Sequence, residues 1–499
     1  MMNPETYFEE FRKNTIGHDA TYQSPYGVQK LIYADWIASG RLYRPIEEKM
    51  ANDFGPFLAN THSEASETGV TMTLAYHEAQ HIIKRHVNAC QDDVLLSVGT
   101  GMTGAISKFQ RILGLKMPQQ AKQICLSYQT TFACPNIPEN DRPVVFVTHM
   151  EHHSNHTSWL ETLADVVVLE PDKGMNVAPQ QLREELKKYA GRKMLIGSFS
   201  ACSNVTGVQP PYYELARIMH EFGGYCFVDF AASAPYLNID MHPADPMCKL
   251  DAIFFSPHKF LGGPGSAGML IFNKVLYKND VPDQPGGGTV EWTDRWGRKR
   301  YIDDIETRED GGTPGFLQTI RAALAIKLKE KMGVHNMHLR ESQLLAIGFD
   351  GLRKIEGINI LHDTNEDRIG VISFYHLRIH HNLMVKLLSD RFGVQVRGGC
   401  SCAGTYGHYL LNVSREMSER ITGKIDSGDA SEKPGWVRLS LHPTMTDAEI
   451  NTVIFAISEI SKNVDKWRED YYHDKRSNEW FHKSVPRRTP ADFEHWFSI

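Results

Sequence analysis

Short apolar runs alternate with helical stretches through the first two-thirds of the chain, and nothing else in the sequence restricts the fold as tightly. Runs at 93–98, 144–147, 166–169, 194–199, 224–229, 252–255 and 268–272 are apolar and bounded by polar or glycine-rich residues, the pattern of buried strands. Helical spacing falls before or between them, at 71–88, 179–189 and 212–222. Seven strands interleaved in this way pack as a mostly parallel sheet with helices on both faces. The expected fold class is therefore α/β, with ligands held beyond the carboxyl ends of the strands.

From about residue 330 the pattern changes. A helix at 338–354 is followed by strands at 358–361 and 371–375, a helix at 382–392, and strands at 394–397 and 436–441. Thr446 with an acid three residues on opens a final helix. These elements read as a smaller α+β domain. The division is a segment at 1–30 (a helix and a loop) packing with the small domain, a large domain at 31–325, the small domain at 326–462, and an extension at 463–499. The nearest thing to a linker is the polar stretch 414–434.

Composition narrows the function. A formal net charge of −6 leaves no basic footprint for nucleic acid. No apolar run approaches the roughly 18 residues that span a bilayer, and the start of the chain has neither a basic nor an apolar leader region. A cytoplasmic protein is expected, with no membrane partner. The cysteines, at 90, 125, 134, 202, 226, 248, 400 and 402, are irregularly spaced, which favours free thiols over a disulfide framework.

The chemistry centres on Ser256-Pro257-His258-Lys259, directly after the run 252–255 and before a glycine-rich turn that would let backbone approach a bound group. Lysine is rarely buried unless paired or reacted. In a desolvated pocket its amine loses its charge more easily and can form a Schiff base with an aldehyde, which suits pyridoxal 5'-phosphate. A solvent-facing lysine on a loose turn is the plainer alternative. Asp229 ends another strand, where a carboxylate could pair with a pyridine nitrogen or simply cap a helix. The turn Gly99-Thr100-Gly101-Met102-Thr103 opens a helix, a geometry that binds phosphate.

His149, His152, His153 and His156 would share one helical face. No cysteine or carboxylate pattern completes a metal set, so a ring stacked on a planar cofactor, or a surface cluster, is preferred to metal. Arg397-Gly398-Gly399-Cys400-Ser401-Cys402 puts two thiols on a segment whose glycine and serine flanks keep it mobile, with Arg397 near enough to favour a thiolate. Arg438, a charge inside a strand, could anchor a substrate carboxylate bidentately or face water from an edge strand.

Together these residues resemble the class-V (fold type I) pyridoxal-phosphate enzymes, and within them the cysteine desulfurase and selenocysteine lyase branch, from about Tyr33 to Lys462. The resemblance implies that Lys259 is the Schiff-base lysine, with Ser256 and His258 on the phosphate side. Glu151-His152-His153-Ser154-Asn155 is similar to the E-H-H-x-N motif, with His152 on the ring. Ser203-Asn204-Val205-Thr206-Gly207 is similar to S-N-x-x-G, with Asn204 on the cofactor. Asp229 falls on the pyridine-binding aspartate, and Met102 and Thr103 on the phosphate turn. Gly312-Thr313-Pro314 resembles the segment whose threonine reaches the neighbouring subunit's phosphate, which implies a homodimer. Cys402 matches the persulfide-forming cysteine, and Arg438 the substrate-carboxylate arginine, with Arg397 beside it. The chain departs from the pattern at Ala232, where a glutamine is usual, in the longer segment between Cys402 and Arg438, and in having two cysteines in place of one.

The expected activity is removal of sulfur from L-cysteine or a close analogue, giving alanine and a persulfide on Cys402, with a sulfur-acceptor protein as a further partner. A class-V aminotransferase, epimerase or C–S lyase keeps the cofactor without the persulfide. A non-catalytic scaffold and a metal-dependent hydrolase are the rivals from other classes.

Overall fold

The computed structural model describes residues 3–61, 65–99, 101–128 and 137–499, the side chains of 124–128 excepted. Thr100, Cys134 and the thiol of Cys125 lie outside the described residues. The seven expected strands form, within a residue or two, as β1 (Asp93–Val98), β2 (Val144–Thr148), β3 (Asp165–Leu169), β4 (Leu195–Ser200), β5 (Tyr225–Asp229), β6 (Ala252–Phe255) and β7 (Gly268–Asn273). They build one sheet in the order β1-β7-β6-β5-β4-β2-β3. Strands β2 to β6 pair in parallel, and β7 runs antiparallel to both β6 and β1. The carboxyl ends of six strands therefore open on one side.

The central strands are buried at every residue but Tyr225, as parallel strands covered on both faces must be. Helix α1 (Met102–Ile112) follows β1 and is fixed to the sheet by Phe109, whose ring meets those of Phe227, Phe254 and Phe272 at 5.1, 5.9 and 5.0 Å. Truncating such a ring to alanine costs about 3–5 kcal/mol. It would also unseat the start of α1.

A second sheet joins β8 (Ile358–Ile360), β9 (Val371–His376), β10 (Arg397–Gly399) and β11 (Trp436–Ser440), antiparallel throughout, in the order β8-β9-β11-β10. β11 is thus an inner strand, and Arg438 is buried there instead of facing water. The closing helix, Asp447–Trp467, opens on the expected capping box of Thr446 and Glu449.

The expected strand at 394–397 is divided. Val394–Gln395 pairs in parallel with Ile32–Tyr33, whereas Arg397 begins β10. A short apolar–polar alternation cannot say which neighbour takes it up. The polar stretch after Ser414 is a capped helix, Arg415–Asp426, not a linker. Residues 1–30 hold a helix, Pro4–Lys13, and a hairpin, Thr21–Ser24 with Gly27–Lys30, where only a helix and a loop were expected. Phe8 and Phe11 pack among Leu344, Ile450 and their neighbours. Beyond the closing helix, Tyr471–Asp474 and Glu479–His482 form a hairpin tied to the helix His381–Phe392 through Tyr471 and Asp390, at 3.1 Å.

Candidate active site

A cavity of about 470 Å³ lies at the carboxyl ends of the large sheet's strands, where the Arg397 and Arg438 side of the second sheet closes over it. Eleven of the twelve sequence-predicted site residues line it: Lys259, Asp229, His152, Asn204, Ser256, His258, Met102, Thr103, Cys402, Arg397 and Arg438. Thr313 does not; it lies exposed on a turn outside the cavity.

Lys259 ends a single helical turn that follows β6. Burial depresses its amine to about 8, with Asp229 opposing the shift and Arg438 and Arg397 adding to it. Burial likewise raises Asp229 to about 7, although the Ala231 N–H, at 2.8 Å, and Lys259 favour its charged form. Glycines around Lys259 are required by the packing of the chain itself. A Cβ on Gly263 would sit 1.8 Å from the Pro257 carbonyl, and one on Gly40 would sit 1.9 Å from that of Phe260. Gly40 also donates its N–H to His258 O at 2.9 Å, so the lysine turn is gripped from outside.

Ser256 Oγ accepts the N–H of Met102 at 2.9 Å, which joins the lysine turn to the start of α1. Thr103 Oγ1 meets Ser154 Oγ at 2.6 Å. Burial, with Lys259 nearby, holds His258 down at about 4.

The histidines do not share a helical face. Helix α2 begins only at His153 (His153–Leu160), so His149 and His152 precede it and each ring has separate work. His152 caps the helix, its Nδ1 accepting the Ser154 N–H at 3.1 Å; burial, then Lys259, lowers it to about 3. It is a neutral imidazole with its remaining proton on Nε2. His153 and His156 instead reach the cysteine segment, through Gly404 N–H to His153 Nε2 at 2.9 Å and Thr405 Oγ1 to His156 Nδ1 at 3.2 Å. His149 turns away to the Met175 carbonyl at 3.2 Å. Beneath them, buried Glu151 accepts from Thr148 and Ser200, through the N–H and hydroxyl of each, and from Asn155 Nδ2. Burial pushes its carboxyl up against those donors.

The two-cysteine segment is held at several points, contrary to the expectation of a mobile loop. The His153 N–H donates to Cys402 O at 2.8 Å, and Asn204 Nδ2 to Ser401 O at 2.7 Å. Ser401 and Cys402 both take left-handed backbone, φ 50° and 57°. For residues with a Cβ this costs about 1–2 kcal/mol each. Cys402 lines the cavity and is exposed, and Cys400 is half-buried.

Facing Lys259, Arg397 and Arg438 are direct partners across β10 and β11. Asp35, from a loop no motif singled out, sits between them: Oδ1 accepts from Arg438 Nη2 at 2.8 Å and Oδ2 from Arg397 Nε at 3.2 Å. Two cations share one carboxylate, which leaves the wall positive. Arg438 also donates to the Asn204 carbonyl at 3.2 Å, and its buried Nε has no partner among the described residues. The signal for Asp35 was a lone carboxylate in the apolar run 31–38. Cys202, also missed, lines the cavity as a thiol that burial keeps protonated. Ala232, the noted departure from the usual glutamine, lines it too.

The donor set fits pyridoxal phosphate. It offers a desolvated amine, a buried carboxyl, a neutral imidazole, the start of α1, and Asn204 Oδ1, a buried acceptor without a partner among the described residues. A profile of the family described as aminotransferase class V matches residues 133–453. The chain belongs to that family. A probable cysteine desulfurase of Staphylococcus aureus (strain Mu50 / ATCC 700699) is 26% identical over 393 residues, covering 77% of this chain and 86% of the relative. The fold is that of two solved structures, the apo cysteine desulfurase of Thermococcus onnurineus NA1 and the cysteine desulfurase CsdA of Escherichia coli. Their TM-scores are 0.70 and 0.69, at 22% and 20% identity, each over 93% of this chain and 99% of the other.

Proposed function

We propose that this class-V protein is a pyridoxal-phosphate-dependent cysteine desulfurase that converts L-cysteine to L-alanine and leaves a persulfide on Cys402. The observation that carries the reading is a depressed lysine amine and an exposed thiol on one cavity, beside a wall with more guanidinium than carboxylate charge. Lys259, Asp229, His152, Asn204, Ser256, His258, Met102 and Thr103 would hold the cofactor. When bound, it supplies an electron sink for the amine-bearing carbon of the substrate.

The chain's own residues do the rest. Arg438, with Arg397 behind Asp35, binds the substrate carboxylate. The Lys259 amine, near 8, exchanges a proton at Cα close to neutral pH. The Cys402 thiolate attacks the substrate sulfur: an S–S bond forms, the Cβ–S bond breaks, and its electron pair passes to Cβ, which takes a proton. Sulfur then leaves from an exposed position to an acceptor protein, in the cytoplasm, where thiols stay reduced.

The same reading makes the enzyme a homodimer in which Thr313 serves the neighbouring site. Two observations support it. Thr313 is exposed and outside its own cavity, and the adjoining hairpin, Val290–Thr293 with Lys299–Tyr301, carries the exposed Trp292 and Trp296. The test is the absorption spectrum before and after L-cysteine, with alanine and sulfide assayed together. A band that shifts with alanine formed supports the desulfurase. A band indifferent to cysteine, or pyruvate and ammonia as products, moves the assignment to a transaminase or lyase.

A further inference from the structure

We propose that Cys90, Asp93 and His242 form a divalent-metal site of zinc type at the amino end of β1, the end of the strand away from the cavity. The Cys90 thiol, an Asp93 oxygen and a His242 ring nitrogen all lie within 4.8 Å of one another. They come from two places, the turn leading into β1 and the loop between β5 and β6.

Asp93 is the independent observation. Its side chain is wholly buried. Oδ2 is shared between His242 Nε2, at 2.6 Å, and the Cys90 N–H, at 2.8 Å. Oδ1 is buried and has no hydrogen-bond partner among the described residues. A buried carboxylate oxygen left unpaired carries a standing penalty, which a cation in the cluster would remove. The surroundings also favour a cation. Asp92 and Asp240 flank the cluster, Asp240 Oδ1 accepting the His242 N–H at 3.0 Å, and the nearby Lys274 is taken up by Asp92 at 2.6 Å.

The donor set selects the metal. One thiolate, one carboxylate and one imidazole suit a borderline-soft tetrahedral ion with its fourth position open, and not magnesium or calcium, which want oxygen. Binding expels the Cys90 thiol proton and opens the hydrogen bond between His242 and Asp93, so that a thiolate and a carboxylate balance a +2 ion. A metal here would staple the two connections that flank β1. That strand's far end leads into Gly99 and Gly101 on the cavity.

The full-length protein, stripped with a chelator under a non-thiol reductant, is titrated with Co2+ alone and, separately, analysed for Zn2+ after equilibration and gel filtration. The expected result is one ion per chain with thiolate–cobalt absorption. Affinity should weaken at least roughly tenfold in Cys90→Ser and in His242→Ala and be unchanged in Cys402→Ala. Cys90 is exposed, so its serine variant leaves the fold intact. Failure to bind stoichiometrically, or binding indifferent to both substitutions, overturns the site and leaves a plain His–Asp tie.

Discussion

Lys259 and Cys402 face one cavity from supports of opposite kind. The lysine stands at the end of a fully buried parallel strand, on a turn locked by Gly263 and Gly40 so tightly that neither has room for a methyl group. The cysteine stands on a short segment in left-handed backbone, exposed, and held by hydrogen bonds from His153 and Asn204. The difference follows the work assigned to each. An amine that must exchange a proton near neutral pH needs fixed burial to hold its pKa down. A thiol that must pass sulfur to another molecule needs exposure, and its position has to be set by contacts that leave the sulfur itself free.

The comparison breaks most sharply at the lysine. Lys259→Ala should lower alanine formation at least about 10³-fold while circular dichroism stays unchanged. Cys402→Ala should drop sulfur release to background yet keep the cysteine-induced absorption shift, which separates the two walls in one protein. Arg438→Lys loses a planar, charge-assisted contact of about 1.5–3 kcal/mol, so KM for cysteine should rise roughly 10- to 150-fold with a smaller change in kcat.

A milder probe is pH. The free amine is the neutral form above its pKa and the charged form below it. Uptake of pyridoxal phosphate by ligand-free protein should therefore rise with pH and level off above about 8, falling about tenfold per unit below it. A profile centred on an ordinary lysine value would contradict the buried-amine account. The smallest effect belongs to His153→Ala. It removes one hydrogen bond to the cysteine segment, worth about 1 kcal/mol or roughly fivefold in sulfur release, and should leave the absorption shift alone.

The lysine wall was legible in the sequence for the same reason that it is rigid. Apolar runs ending in Asp229 and in Ser256-Pro257-His258-Lys259 announce strand ends, and strand ends in such sheets point to the site. The opposite wall was legible only in its residue types. That Asp35 bridges Arg397 and Arg438 depends on a contact between residues 403 apart in one case and 362 in the other, which no local pattern encodes. The histidines misled because helical spacing was assumed before the helix begins; His152 is its cap, not part of its face. The segment 394–397 split because its register was decided by Ile32–Tyr33, far away in the chain.

The central claim is that the exposed thiol of Cys402 takes the sulfur. The most direct measurement is to treat the holoenzyme with L-cysteine labelled at sulfur, trap thiols with an alkylating reagent, and map the label by peptide mass spectrometry while counting alanine. The account predicts label on the peptide carrying Cys402, as a persulfide, with one alanine formed per sulfur bound. Label confined to other cysteines, or pyruvate and ammonia formed with no sulfur on the protein, would contradict it.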